Sequence, residues 1–203
     1  MAKVFGWSED NVSLTALRDR QYQPTSGIDV PDRTVTVTAT QSNGTLRVMF
    51  FTPTRTLTVS NFNVVCTTGA TDTGGTTVRK LGLYTTSGQI LTCVARSAND
   101  TSLATTSSTI YTKAFTSEAG YSSSYTLVAG TTYAVGWLFY NTGGTFAAPA
   151  MVAFNPGSGA TALANTAFTP VILGAKSSET DITNTAVTIP NANAANAPFV
   201  RLT

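Results

Sequence analysis

The stretch that most limits what this chain can become is Tyr125–Asn141, Tyr-Thr-Leu-Val-Ala-Gly-Thr-Thr-Tyr-Ala-Val-Gly-Trp-Leu-Phe-Tyr-Asn. Its second half, Tyr133–Tyr140, is an unbroken run of Tyr, Val, Trp, Leu and Phe with small residues between, the types that suit a pleated, buried surface. It reads as a central strand. Side chains alternate across a strand, so Tyr133, Val135, Trp137 and Phe139 share one face and Ala134, Gly136, Leu138 and Tyr140 the other. A bulky face implies a core, and a mostly small face implies something packed close above it. Gly130 is expected to mark a turn between a strand ending at Val128 or Ala129 and the one beginning near Thr132.

The rest of the text suits the same architecture. Of 203 residues 39 are threonine, and only 11% are charged, against about 25% in an ordinary soluble domain. Threonine is β-branched and polar, so it covers the solvent side of strands without charge. The chain is long enough to bury roughly 70% of its unfolded surface, which makes a core possible without metal or disulfide. A formal charge of +2 supplies no basic stripe, so neither nucleic acid nor an anionic membrane is an expected partner. A weakly charged exterior also favours association with neighbouring subunits.

There is no histidine, which removes the usual general base and the commonest metal ligand and excludes Ser-His-Asp and Cys-His sites. Six carboxylates lie after residue 30: Asp32, Asp72, Asp100, Glu118, Glu179 and Asp181. They are too scattered for the facing pair that glycoside hydrolysis needs or for a calcium cage. The expectation is no enzyme, no metal and no cofactor. No apolar run reaches the ~18 residues of a membrane span, and the first residues lack a signal-peptide core. Cys66 and Cys93 lie in strand-like runs; they read as buried small hydrophobes or as a bridge between neighbouring strands.

Residues 1–33 form an expected arm and linker and 34–203 the sandwich. Ser13 is placed to cap a short helix over Leu14–Tyr22, too short to be stable alone. Trp7, Leu14, Leu17 and Tyr22 are its candidate anchors. The arm is expected to fold back on its own sandwich, to reach a neighbouring subunit, or to remain disordered. Pro24, Gly27 and Pro31 break the chain into an extended linker. Beyond it, Thr34–Thr40 and Leu46–Thr52 read as a hairpin across Asn43-Gly44, Thr56–Thr67 as one strand, and Thr77–Thr85 with Gln89–Arg96 as a pair joined by Thr86-Ser87-Gly88. An exposed loop is expected at Ser97–Ser102, and Arg79-Lys80 is expected at a solvated strand edge. Ser108–Phe115, Ser123–Ala129, Met151–Phe154, Val171–Leu173, Thr185–Ile189 and Phe199–Leu202 complete the strands, at the spacing of an antiparallel sandwich.

Two motifs carry a resemblance. Val-Arg-Lys-Leu-Gly-Leu-Tyr-Thr-Thr-Ser-Gly-Gln-Ile-Leu-Thr-Cys-Val, from Val78, turns one strand into another through Ser-Gly, and Leu-Val-Ala-Gly-Thr-Thr-Tyr, from Leu127, enters the central strand. Together they resemble the jelly-roll modules of tailed-bacteriophage virion proteins, such as tail fibres, minor tail proteins and head fibres. The resemblance covers about a third of the chain. It implies an all-β, antiparallel β-sandwich of jelly-roll type and a non-enzymatic virion subunit, often a homotrimer, made in the host cytoplasm and bound to other virion proteins. The leading expectation is a tail-tip or fibre protein attaching to the host surface. A capsid decoration or head-fibre protein and a free carbohydrate-binding module are the alternatives.

A sugar presents an apolar face and a polar rim, so a glycan site needs an exposed aromatic ring beside amides or carboxylates. Tyr111, Tyr121, Tyr125 and Tyr140 are the candidate platforms, with Asn99, Asp100 and Asn141 as hydrogen-bonding neighbours.

Overall fold

The computed structural model describes residues 28–30, 36–154, 173–189 and 197–203. The candidate anchors Trp7, Leu14, Leu17 and Tyr22 lie outside them. In chain order the described strands are β1 (Ile28–Val30), β2 (Thr36–Thr40), β3 (Leu46–Phe51), β4 (Leu57–Val59), β5 (Asn61–Thr68), β6 (Thr76–Ser87), β7 (Ile90–Arg96) and β8 (Thr109–Ala114). They continue with β9 (Tyr125–Leu127), β10 (Tyr133–Thr142), β11 (Ala150–Phe154), β12 (Leu173–Lys176), β13 (Val187–Thr188), β14 (Ala197–Pro198) and β15 (Val200–Leu202). Between β8 and β9 lies a single 3-10 turn, Glu118–Gly120.

All the pairings are antiparallel. One sheet runs β12-β3-β10-β6-β7-β13. The other has seven strands, built around β5, which holds β8 along one edge and shares its second edge between β15 at Phe62 and Asn63 and β11 at Cys66 and Thr68. β1 extends this sheet beyond β15, and β2 extends it beyond β11. Thus Ile28–Val30, inside the segment read as linker, is a paired strand. β4 and β9 form a separate two-stranded ribbon. The chain is an all-β, antiparallel sandwich.

β10 occupies the middle of the six-stranded sheet, in register with β3 on one side and with β6 along its whole length on the other. Its two faces separate as the alternation requires. Tyr133, Val135, Trp137 and Phe139 enter the main core between the sheets, with Leu81 and Leu83 of β6, Phe62, Val64 and Cys66 of β5, and Val200 and Leu202 of β15. Trp137 is fully buried. Ala134 and Leu138 enter a second cluster on the outer face, with Leu46, Val48, Phe50, Tyr84 and Leu91. What covers that face is the segment 177–189. It leaves β12 at one edge of the sheet and reaches β13 at the other, and it presses Ile182 and Ile189 onto the small residues. The fit is close: a Cβ on Gly136 would lie 2.3 Å from the Arg47 carbonyl oxygen, and one on Gly174 2.2 Å from Ile189 Cγ2.

Four expectations are corrected. The first is that β2 and β3 form no hairpin, because they belong to different sheets. The Asn43-Gly44 turn spends its polar groups on β10: Asn43 accepts from Asn141 N (2.9 Å) and donates to Asn141 O (3.1 Å), and Gly44 N donates to Phe139 O (2.9 Å). The turn therefore arches between the sheets. Gly130 is the expected turn residue (φ 76°) between β9 and β10, which pair with β4 and with β3 and β6 respectively. The second correction is that Thr56–Thr67 breaks at Ser60 into β4 and β5; Ser60 and Asn61 both donate to the Thr203 carbonyl.

The Arg79-Lys80 edge is the third. β6 lies between β10 and β7, and Arg79 is fully buried while Lys80 is 8% exposed. Arg79 donates to the carbonyls of Leu103 (2.6 Å) and Ala70 (2.9 Å), pairs with Asp72 at 3.2 Å and lies 5.8 Å from the Phe139 ring centre. Asp72 in turn accepts from Ala147 N (2.8 Å). An interior guanidinium is tolerated because carbonyls and a carboxylate replace its water. Lastly, the Ser97–Ser102 loop is not wholly exposed. Ser97 is buried and accepts from Leu81 N, Asn99 Oδ1 accepts from Arg79 N, and Leu103 follows into the core. The two cysteines are buried and unbridged, Cys66 in the main core and Cys93 in the outer cluster. They occupy separate layers, so the bridge reading falls.

Candidate functional site

Three turns meet at the end of the sandwich where β10 begins. Tyr133 pairs with Phe51 at the end of β3 and with Thr85 near the end of β6. The connections 52–56, 87–90 and 128–132 are therefore neighbours. They are tied together: Thr52 Oγ1 and Thr132 Oγ1 share a hydrogen bond (3.1 Å), and Thr86 Oγ1 donates to Thr132 O (3.0 Å). Gly130 N donates to Pro53 O (2.9 Å), and Ala129 N donates to Thr56 Oγ1 (3.1 Å). Gly88 (φ 61°) and Gly130 make the reversals, and open space lies above both.

Behind this end stands a row of rings. Tyr133 lies 6.0 Å from Phe51 and 6.0 Å from Tyr125, edge-on to the latter, and its hydroxyl accepts from Val128 N (3.1 Å). Burial pushes the Tyr125 phenol above its ordinary pKa. In front, Val128 and Ile90 are 49% and 46% exposed, among hydroxyls of Thr52, Thr131 and Ser87. Arg55 is the single charged residue among these three turns. The result is a hydrogen-bonded, almost uncharged surface of hydroxyls and aliphatic side chains.

The candidate glycan residues are dispersed. Tyr111, Asp100 and Asn99 come near one another at the β8 side of the molecule. Tyr111 accepts from Thr106 N (2.9 Å), and the Lys113 ammonium lies 5.6 Å from its ring centre while pairing with Asp100. Burial opposes ionisation of Asp100, but Lys113 and the Ser102 donors outweigh it and hold its pKa below the ordinary carboxylate value. These groups satisfy each other, which leaves little for a ligand. Tyr121 is buried, 4.6 Å from the guanidinium carbon of Arg96. Tyr125 stands behind the three turns. Tyr140 and Asn141 lie at the far end of β10, where Tyr140 packs by Gly44 and Asn141 donates to Gly74 O and Thr77 Oγ1.

The remaining polar groups are structural in placement. Asp181 joins Lys80 (2.6 Å) and Arg96 (3.8 Å), pinning the middle of the covering segment to the six-stranded sheet. Burial pushes the Cys93 thiol up to about 12, with Arg96 acting weakly the other way. Among the described residues no three of His, Cys, Asp or Glu converge as a metal site would. No described helix is long and apolar enough to cross a membrane. Val128 and Ile90 were not candidates in the sequence: their turns were legible, but which turns meet is a tertiary fact. Comparison with protein-family models, with curated proteins and with solved structures gives no match.

Proposed function

We propose that the chain is a structural subunit of a tailed-bacteriophage particle, a jelly-roll module of the tail-tip or fibre class, assembled as a homotrimer and attaching to the host surface without covalent chemistry. The observation that carries this reading is the three-turn end, held by cross-turn hydrogen bonds and bearing exposed Val128 and Ile90. Such a surface loses little conformational freedom when it meets a partner. Its near-absence of charge makes the contact insensitive to salt. Aliphatic side chains beside hydroxyls suit an uncharged, partly apolar protein surface on the host; the exposed ring that a glycan would need is not among the described residues of this end. The two sequence motifs that resemble phage modules fall in β6–β7 and in the β9–β10 turn, so they build this same end.

The test is retention of the purified protein by isolated host envelopes. Wild type is expected to be retained equally at low and high salt, and Val128→Asp or Ile90→Asp to lose retention while keeping the wild-type unfolding midpoint. Retention unchanged in both variants, or none by wild type, refutes the proposal.

A further inference from the structure

We infer that the segment 177–189 is a releasable strap: it lifts from the six-stranded sheet as one unit while the sandwich stays folded, and uncovers the apolar floor of the outer cluster. This goes beyond the proposed function and does not depend on it.

The strap is fastened at few points. It leaves β12 through Ser178, a non-glycine residue in the left-handed region (φ 64°), a conformation that persists only while its surroundings impose it. Glu179 N donates to Gly44 O (2.9 Å), and Arg96 donates to Ile182 O. The Asp181 side chain that pairs with Lys80 and Arg96 is 37% exposed, so water screens the pin. Residues 183–186 are all exposed. The strap ends in β13, two residues that pair with Leu91 and Ile90 at the edge of β7, and Ile189 N then donates to Gln89 O (2.9 Å). Its apolar hold is Ile182 and Ile189, with Val187 packed partly against the same cluster. Two of its amides are satisfied by its own side chains, Ile182 N by Asp181 Oδ1 (2.7 Å) and Thr185 N by Thr183 Oγ1 (3.3 Å). Those two bonds survive lifting.

Beneath the strap the closed state is imperfect. Tyr84 lies over Gly82: a Cβ on that glycine would sit 2.7 Å from the Tyr84 hydroxyl oxygen and 3.0 Å from its ring edge. Gly82 pairs with Arg96 of β7, so the hydroxyl and the Arg96 side chain occupy neighbouring positions on the outer face. Burial, followed by Cys93, Tyr121 and the strap's own Glu179 and Asp181, pushes the Tyr84 phenol well above its ordinary pKa, which places the hydroxyl under the strap. Tyr84 OH and Arg96 Nε are both buried, and neither has a hydrogen-bond partner among the described residues. A buried polar group without a partner forfeits the hydration it has in water. Lifting the strap returns both atoms to solvent, so the closed state carries a penalty that the open one does not. The main core, on the other face of the sheet, is untouched by the movement. Opening bares Leu46, Val48, Phe50, Leu91 and Leu138, and it unpairs Ile90 at the three-turn end.

The experiment is native-state hydrogen exchange of the full chain, with urea added below the unfolding transition. The amides of 187–189 are expected to exchange about a hundredfold faster than those of β10, at rates nearly flat with urea, while the β10 rates climb steeply, because a local opening exposes little surface. Equal rates and equal urea dependence in the two segments overturn the inference, since the strap then leaves only when the whole molecule unfolds. The second arm is Tyr84→Phe, which deletes the unpartnered hydroxyl and keeps the ring. Exchange at 187–189 is expected to slow about tenfold, because the variant removes a penalty present only while the strap is closed. An unchanged or faster rate in that variant also overturns it.

Discussion

Replacing Asp72 with alanine strikes the most heavily buried charge pair in the described structure. The Asp72 side chain is 2% exposed and that of Arg79 is fully buried. The substitution removes the carboxylate 3.2 Å from the guanidinium and the acceptor for Ala147 N. Arg79 keeps the carbonyls of Leu103 and Ala70 but loses its counter-charge while staying fully buried. Breaking one partner of such a pair costs about 3–5 kcal/mol. At about 2–4 °C per kcal/mol for a chain of this size, the midpoint falls by roughly 6–20 °C. Arg79→Met should cost a similar amount, because it strands the carboxylate and two carbonyls. The double variant should fall well short of the sum, since neither charge is then left alone. Urea unfolding followed by Trp137 emission, with calorimetry, measures all three. Asp72→Ala within about 1 kcal/mol of wild type, or strict additivity in the double variant, refutes the reasoning.

Gly136→Ala places a methyl group 2.3 Å from the Arg47 carbonyl in the middle of the sheet; overpacking against backbone should cost about 3 kcal/mol or more, read by the same denaturation. Both thiols should resist a disulfide exchange reagent in the native state, with Cys93 still unreactive at pH 10 because its pKa is about 12, and both should react on unfolding. Removing the Asp181 pin with Asp181→Asn should speed amide exchange across 182–189 more than in β10, which a hydrogen-exchange map checks. The depressed pKa of Asp100 means that its stabilisation is present above the unfolded carboxylate pKa near 4 and is lost as pH falls through the lower folded value. Stability curves of wild type and Asp100→Asn should therefore converge in acid.

Much of the architecture was legible because it is written at period two. The faces of β10 follow from residue type alone, and the glycine between two matched apolar runs marked the β6–β7 hairpin, whose two-residue reversal is Gly88-Gln89 between paired Ser87 and Ile90. Asn43-Gly44 carried the same local signal and a different outcome. Turn chemistry dictates a reversal, and the choice of sheet was made by Asn141 and Phe139, almost 100 residues away. Arg79 misled for a related reason. A charged pair within a strand reads as solvated until its partners are known, and here they are loop carbonyls and Asp72, brought together by folding. The three-turn end was legible as separate turns. Its assembly depends on the register of β3, β6 and β10, which no short window of sequence contains.

The claim that most needs a direct answer is that this chain is part of a phage particle and works at its host-facing end. Purified particles from cells that produce the chain should be resolved by mass spectrometry with isotope-labelled reference peptides, to give copies per particle. The account predicts that the chain co-purifies with the particles at a handful of copies each. Hundreds of copies would move it from the tail to the capsid, and its absence from particles would contradict the account.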